Sequence, residues 1–303
     1  MSPRNTVEEL LIRVAASGFV PARWFLSLPD PGTIAARSGR LSIEIVSHCW
    51  RYAHLLAYQL SAIVNFPPAQ ASIRMTVFYA PEDLRTRAML DFFGAMQVPG
   101  VTWNWQPLEP RRLFRRAIGR NLIARSTSAD WVWFTDCDII FHRGCLDALV
   151  EQLQGRTDRL VYPAVEYVTA MLAETDPLIA AERDRPRIVD IDTSQFALLA
   201  VPQATGAYQI VHGDIARACG YCEQVPVFQR PVAKWAKTFE DRTFRWLMRT
   251  LGTPLDIPGV HRIRHVHKGR YGDNRVLALL RGNIRHAKRA LKSRWRAALG
   301  RAP

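Results

Sequence analysis

Between Leu41 and Val168 the hydrophobic pattern changes period repeatedly, and this constrains the fold more than any other feature of the chain. LSIEIVS (41–47) alternates and is rich in β-branched residues, as a half-buried strand requires. YAHLLAYQLSAIVNF (52–66) then repeats its apolar residues at helical spacing. SIRMTVFYA (72–80) reads as a second strand and PEDLRTRAMLDFFGAM (81–96) as a helix with Pro81, Glu82 and Asp83 in its first turn. VTWNWQPL (101–108) reads as a third strand, followed by a basic helix, PRRLFRRAIGRNLIARST (110–127), and a strongly apolar strand, WVWFTDCDII (131–140). CLDALVEQLQ (145–154) and RLVYPAVEYV (159–168) add a helix and a strand. This alternation predicts an α/β fold of Rossmann-like type, a mainly parallel sheet with helices on both faces. In such sheets ligands bind outside the carboxyl ends of the strands.

The flanks differ. Residues 1–20 read as a short helix, with Thr6 and Glu9 at capping-box spacing ahead of Leu10, Leu11 and Val14. Pro21 to Arg40, with three prolines and two glycines, reads as a connecting loop. Residues 1–40 are therefore expected to be a helical appendage packed on a main domain of 41–275, whose halves are 41–160 and 161–275. Beyond about residue 175 the pattern loosens into mixed strands and turns, but KTFEDRTFRWLMRTLG (237–252) is an amphipathic helix and HRIRHVHKGRYGDN (261–274) a polar loop.

Charge bears on partners. The 303 residues carry a net charge of +14, and the last 28 hold eight Lys or Arg and no Asp or Glu. Leu277, Leu280, Ile284, Ala287, Leu291, Trp295 and Ala298 form a helical stripe there, so 276–303 predicts a basic amphipathic helix suited to an anionic membrane surface. A helix docked on its own domain and a nucleic-acid arm are the alternatives. The N-terminus lacks the basic-then-apolar order of a signal peptide, no apolar run is long enough to span a bilayer, and five scattered cysteines fit reduced thiols. A cytoplasmic protein, peripheral on the inner face of the membrane, is expected. The lone pair Cys219 and Cys222 has neither the second pair nor the histidines of a zinc site.

The apolar strand at 131–140 contains Asp136 and Asp138. In extended chain both carboxylates point to one side, and like charges so close need a positive partner. Mg²⁺ and Mn²⁺ supply one, since they take one or two carboxylates plus substrate phosphates. A strand-end turn with solvated aspartates would also account for the pair.

RRAIGRNLIARSTSADWVWFTDCDIIFHRGCLDALVEQL (115–153) resembles the middle of a family 2 glycosyltransferase of GT-A fold, in which an Arg-Asn helix, a turn, an apolar strand with D-x-D and a helix follow in order. More weakly, the likeness extends over about 41–270. It implies a metal-dependent, inverting transfer of a sugar from a nucleotide-diphosphate sugar, foremost a UDP-sugar, to a glycan or lipid-linked acceptor. Asp138 would ligate Mn²⁺ or Mg²⁺, Asp136 would meet the ribose directly or through the metal, and Arg120 would support the nucleotide side. Ser47, His48 and Arg51 occupy the expected nucleotide loop, although the family's usual Pro-Thr-Tyr-Asn type loop is missing. FYAPED replaces the usual aspartates after the second strand, so Asp83 or Glu82 either substitutes for them or simply opens a helix. CGYCE (219–223) partly matches an acceptor-side turn. Glu240 and Asp241 match a Glu-Asp pair whose aspartate is the base, although acids in a first helical turn also answer the helix dipole. His265 and His267 are candidate metal ligands, and Lys268 and Arg270 face the phosphates, unless this is simply a basic loop.

Two other functions compete. A basic nucleic-acid-binding protein fits the charge, but no helix-turn-helix, RRM or zinc-finger pattern supports it. A GT-A-like nucleotidyltransferase would want a glycine-rich phosphate loop after the first strand, and VSHCWRY has no glycine.

Overall fold

A computed structural model describes residues 3–173, 175–180, 186–235 and 239–266. The chain opens with α1 (Pro3–Val14), a π-helical turn (Ala15–Phe19) and two short 3-10 helices at 22–24 and 31–33. There follow β1 (Leu41–Cys49), α2 (Ala53–Asn65), β2 (Ala71–Tyr79), α3 (Leu84–Gly94), β3 (Val101–Pro107), α4 (Pro110–Leu113), α5 (Arg116–Ser126), β4 (Trp131–Phe134), β5 (Ile139–Phe141) and α6 (Cys145–Leu153). The second half adds β6 (Leu160–Pro163), β7 (Val165–Val168), α7 (Pro177–Ala180), β8 (Ala197–Ala200), β9 (Gln209–His212), α8 (Gly213–Cys219), α9 (Glu240–Met248), β10 (Thr253–Leu255) and β11 (Val260–Arg262).

Seven strands form the central sheet in the order β10-β6-β9-β4-β1-β2-β3. All neighbours are parallel except those of β9, which runs antiparallel to both β4 and β6. The mostly parallel α/β sheet expected from the alternating periods is thus present. From β1 the chain winds outward through β2 and β3, then returns to place β4 on the other side of β1. The order reverses between β1 and β4, and a reversal of this kind opens a crevice at the strands' carboxyl ends. A second sheet has the order β5-β11-β7-β8.

Burial explains the element choices. Trp131, Val132, Trp133 and Phe134 are all at most 1% exposed because β4 is covered on both faces, and each such aliphatic or phenyl side chain contributes about 1.5–3 kcal/mol. From Ala53 to Ile63, α2 is buried throughout, as an almost wholly apolar helix should be. Among its polar residues, Ser61 Oγ accepts from Val189 N at 2.9 Å, Tyr58 OH donates to Leu178 O at 2.9 Å, and Gln59 is bonded as described below. No helix among the described residues is long and apolar enough to cross a membrane.

Several expected boundaries are corrected. Ser47 and His48 belong to β1, not to a loop, because they continue the pairing with Val77 and Phe78 of β2. Asp83 precedes α3 and caps it instead of lying in its first turn. The basic helix of 110–127 divides at Phe114 and Arg115, where the buried Arg115 guanidinium turns to Glu9 (2.7 Å) and Glu240 (3.6 Å). α1 begins at Pro3, ahead of the capping-box position. Most consequentially, 131–140 is not one extended strand: β4 stops at Phe134, a turn follows, and β5 joins the other sheet. RLVYPAVEYV likewise divides between β6 and β7, one in each sheet.

Candidate active site

The turn that separates β4 from β5 carries both aspartates. Thr135 N still donates to Val46 O (3.0 Å), and Ile139 N then donates back to Asp136 O (3.2 Å), closing a four-residue turn. A buried amide holds it open. Gln59 Nε2 of α2 donates to Asp136 O (3.0 Å) and Ile139 O (2.9 Å), and Ser47 Oγ donates to Gln59 Oε1 (2.6 Å). Ser47 is fully buried. It therefore orients Gln59 and presents nothing to the crevice. Asp136 and Asp138 lie in a turn, so the shared side expected of an extended D-x-D does not apply.

Asp136 faces the positive side of α5. Arg116 Nη1 donates to Asp136 Oδ1, and Arg120 Nη2 lies 3.6 Å from the same oxygen. Arg116 and Arg120 are one helical turn apart and share a face, but they differ in exposure, with side chains 25% and 1% exposed. Asp136, opposed by burial and assisted by Glu240, Tyr221 and Asp241, holds Arg116 firmly cationic. These five groups therefore share one electrostatic neighbourhood.

Arg120 is bound to the protein itself. It donates to Tyr221 OH (2.9 Å), Gly206 O (2.8 Å) and Thr135 O (3.3 Å). Asn121 Oδ1 accepts from Tyr221 N at 2.8 Å. The Arg-Asn pair thus fastens α5 to the 219–223 turn, where Gly220 has φ 64° and a Cβ would lie 2.4 Å from Asn121 Oδ1. Sequence reading named Arg120 and missed Arg116. The available signal was the i, i+4 spacing of two arginines before an acidic turn.

Below this cluster lies His48, 3% exposed, its ring stacked on Phe78 at 4.9 Å. Burial first, then the positive charges of Arg120 and Arg116, push its pKa well below the usual histidine value against the pull of Asp136. The imidazole is neutral, and neither ring nitrogen has a hydrogen-bond partner among the described residues. α5 comes close here through Gly119, where a Cβ would sit 2.3 Å from His48 Nε2.

Asp241 opens α9 on the other side of Gly206. Its Cβ would lie 3.5 Å from a Cβ on Gly206, and Gly206 O accepts from Arg120. Arg245 Nη1 reaches Asp241 Oδ2 (3.3 Å), and Gln209 Nε2 donates to Asp241 O (3.0 Å). The Asp241 side chain is 31% exposed. Glu240 behaves differently. At 2% exposure it accepts from Ala117 N (3.1 Å) in the first turn of α5 and lies 3.6 Å from Arg115. It joins two helix starts and is buried between them.

The remaining candidates divide. Asp83 accepts from Arg51 N (2.6 Å), Thr86 N (3.3 Å) and Thr86 Oγ1 (2.8 Å), so its carboxylate holds the β1–α2 loop and the start of α3. Arg51 is exposed, with φ 60° and its guanidinium over Trp50. Ile263 N donates to Asp138 O (3.0 Å), which draws the chain after β11 past the aspartate turn. His265 follows two residues later, 2% exposed and edge-on to Tyr52 at 5.5 Å. His267, Lys268, Arg270 and the 276–303 tail lie outside the described residues. On this side Arg262 stays cationic against burial because Tyr208, Glu166, Asp138 and Asp136 surround it, and it pairs with Glu166 at 2.9 Å. Arg262, Glu166 and Tyr208 were not legible as site residues.

Among the described residues no three His, Cys, Asp or Glu side chains converge as a ligand set. Of the two clustered cysteines, burial pushes Cys219 up to about 11 and holds Cys222 well above the usual thiol value, so both are protonated thiols. The chain matches no protein-family model and no curated protein sequence.

Proposed function

We propose that this protein is a GT-A-type glycosyltransferase that moves a sugar from a nucleotide-diphosphate sugar to an acceptor hydroxyl with inversion, in the synthesis of a cell-surface glycan or glycolipid. The observation that carries this reading is the cluster at the β1/β4 crevice: an aspartate turn at the carboxyl end of β4, faced by Arg116 and, across Gly206, by Asp241. Parallel sheets bind ligands at such a reversal of strand order, and a diphosphate needs cations there. Arg116 is the partly exposed guanidinium able to exchange Asp136 for a diphosphate oxygen.

The chemistry assigned to these residues is a single displacement. Asp241 takes the proton of the acceptor hydroxyl as that oxygen bonds to the anomeric carbon, while the bond to the donor's diphosphate oxygen breaks and the electron pair leaves with the diphosphate. Arg245 orients the base, and Arg116 stabilises the departing charge. Mn²⁺ or Mg²⁺ held by Asp138, with His265 beside it, would supply Lewis-acid stabilisation of the same charge. The neutral His48 is compatible with packing against an uncharged part of the donor.

A thermal-shift screen of nucleotide sugars with and without Mn²⁺ tests this: a donor at 100 times its Kd adds about 2.7 kcal/mol. Asp138→Ala should abolish the metal-dependent part of the shift, and Asp241→Asn should retain donor binding while losing transfer. Transfer that survives both substitutions refutes the proposal.

A further inference from the structure

α1 is turned inside out for a solvated surface helix. Val7, Leu10, Leu11 and Val14 recur at i, i+3, i+4 and i+7 and are 49–63% exposed, whereas such a stripe normally faces the core. The opposite face carries the acids inward: Glu9 Oε1 accepts from Arg115 Nη2 at 2.7 Å and Glu8 Oε2 from Arg230 Nη1 at 2.6 Å. Past the helix, Phe19 is 82% exposed and Trp24 72% exposed. Ser17 and Gly18 also line an open cleft of about 750 Å³ with Arg242, Arg245 and Arg249, whose guanidiniums are held internally, Arg242 by Ser17 Oγ (2.8 Å), Arg245 by Ala204 O (2.6 Å) and Arg249 by Leu26 O.

We propose that this flank is a docking surface for an anionic lipid bilayer, with the four α1 side chains, Phe19 and Trp24 entering the interface and the exposed Arg13 and Arg23 meeting lipid phosphates. Charge selects this occupant. Glu8 and Glu9 are already paired inward, so the exposed charges between residues 7 and 24 are Arg13 and Arg23. A second copy of a chain with net charge +14 would be repelled, and so would the chain's own 276–303 segment, which has eight basic residues and no acid. An anionic surface is attracted, by roughly 1 kcal/mol for each nearby basic residue, and an aromatic pair with an apolar helix face suits the headgroup boundary. This docking site is separate from the crevice and does not depend on the reaction assigned to it.

The test is co-sedimentation of the full chain with vesicles of phosphatidylcholine alone or mixed with phosphatidylglycerol. Wild type is expected to pellet with the mixed vesicles. Leu10→Ser/Leu11→Ser/Phe19→Ser/Trp24→Ser should lower that partition at least tenfold, roughly 1.4 kcal/mol. The smaller pair Phe19→Ser/Trp24→Ser, outside α1, should lower it as well, which guards against a folding defect in the helix. Replacing the Lys and Arg residues of 276–303 by Gln in the full chain should leave the difference between wild type and the serine variants intact. The proposal is overturned by wild type that ignores both vesicles, by serine variants that partition like wild type, or by a wild-type dimer in sedimentation velocity that the serine variants cannot form.

Discussion

Replacing Arg120 and, separately, Arg116 by methionine asks which of the two guanidiniums is structural. Arg120 is 1% exposed and donates three hydrogen bonds, to Thr135 O, Gly206 O and Tyr221 OH. At about 1.5–3 kcal/mol for each bond from a charged donor the loss is roughly 4.5–9 kcal/mol, of which a buried methionine returns about 1.5–3. A net destabilisation of roughly 4 kcal/mol follows, within the range of about 3–5 for breaking a buried charged pair. Arg116 is 25% exposed and pairs with a carboxylate 35% exposed, so its replacement should cost no more than about 1 kcal/mol. Urea unfolding followed by tryptophan fluorescence, extrapolated linearly, measures both. The functional effects should reverse: Arg116→Met folds but loses donor binding, which calorimetry with a nucleotide sugar reads directly. Equal destabilisation by the two substitutions, or an Arg120→Met loss below about 1 kcal/mol, would refute the division of roles.

Asp241→Asn should lower kcat by about 10²–10⁴, the usual worth of a general base, with donor affinity unchanged in the same calorimetric assay. Gly119→Ala should destabilise by about 1–3 kcal/mol, despite alanine's better helix propensity, because its Cβ would meet His48 Nε2 at 2.3 Å; a stabilised variant would show that α5 can withdraw. His48, His142, His212 and His261 are all held below the usual histidine pKa, burial being the first cause in each. The unfolded chain therefore takes up protons first, and stability should be flat above about pH 6.5 and fall below it, with His48→Phe removing part of that slope in urea midpoints against pH. Burial opposes ionisation of Asp214, but Arg37, Ala35 N–H and Arg217 outweigh it and hold the carboxyl far below its usual range. That contribution is present above about pH 3.9 and lost as pH falls further, so Asp214→Asn should be weaker at neutral pH and lose less on acidification.

Particular residues show how far the sequence could be read. The strands and helices of 41–168 were legible because a pleated ribbon and a helix impose periods of two and 3.6 on burial, whereas WVWF, covered on both faces, shows as a continuous apolar run. The breaks were not. Nothing local marks Phe134 as a strand end, since the turn after it is held by Gln59, 77 residues earlier. Cys137 and Asp138 consequently lie in a turn, where the apolar run had predicted one strand. Arg115, Arg116 and Arg120 are chemically identical letters in one basic segment. One pairs with Glu9 and Glu240, one faces Asp136, and one is clamped by carbonyls, and only the neighbours distinguish them.

By itself the sequence determined the alternating α/β pattern, the order of its strands and helices along the chain, and the presence of an acidic pair at the end of an apolar strand. Periodicity is a local property, and local spacing is what a sequence displays. Tertiary structure alone decided which side of each element faces what. α1 is amphipathic in either orientation. Its apolar stripe faces outward because Glu8 and Glu9 meet Arg230 and Arg115, 222 and 106 residues away. Asp136 meets Arg116 because β4 returns beside β1, a pairing with no signature in the intervening residues. Ion pairs and sheet neighbours depend on distances in space, and the chain between them carries no record of those distances.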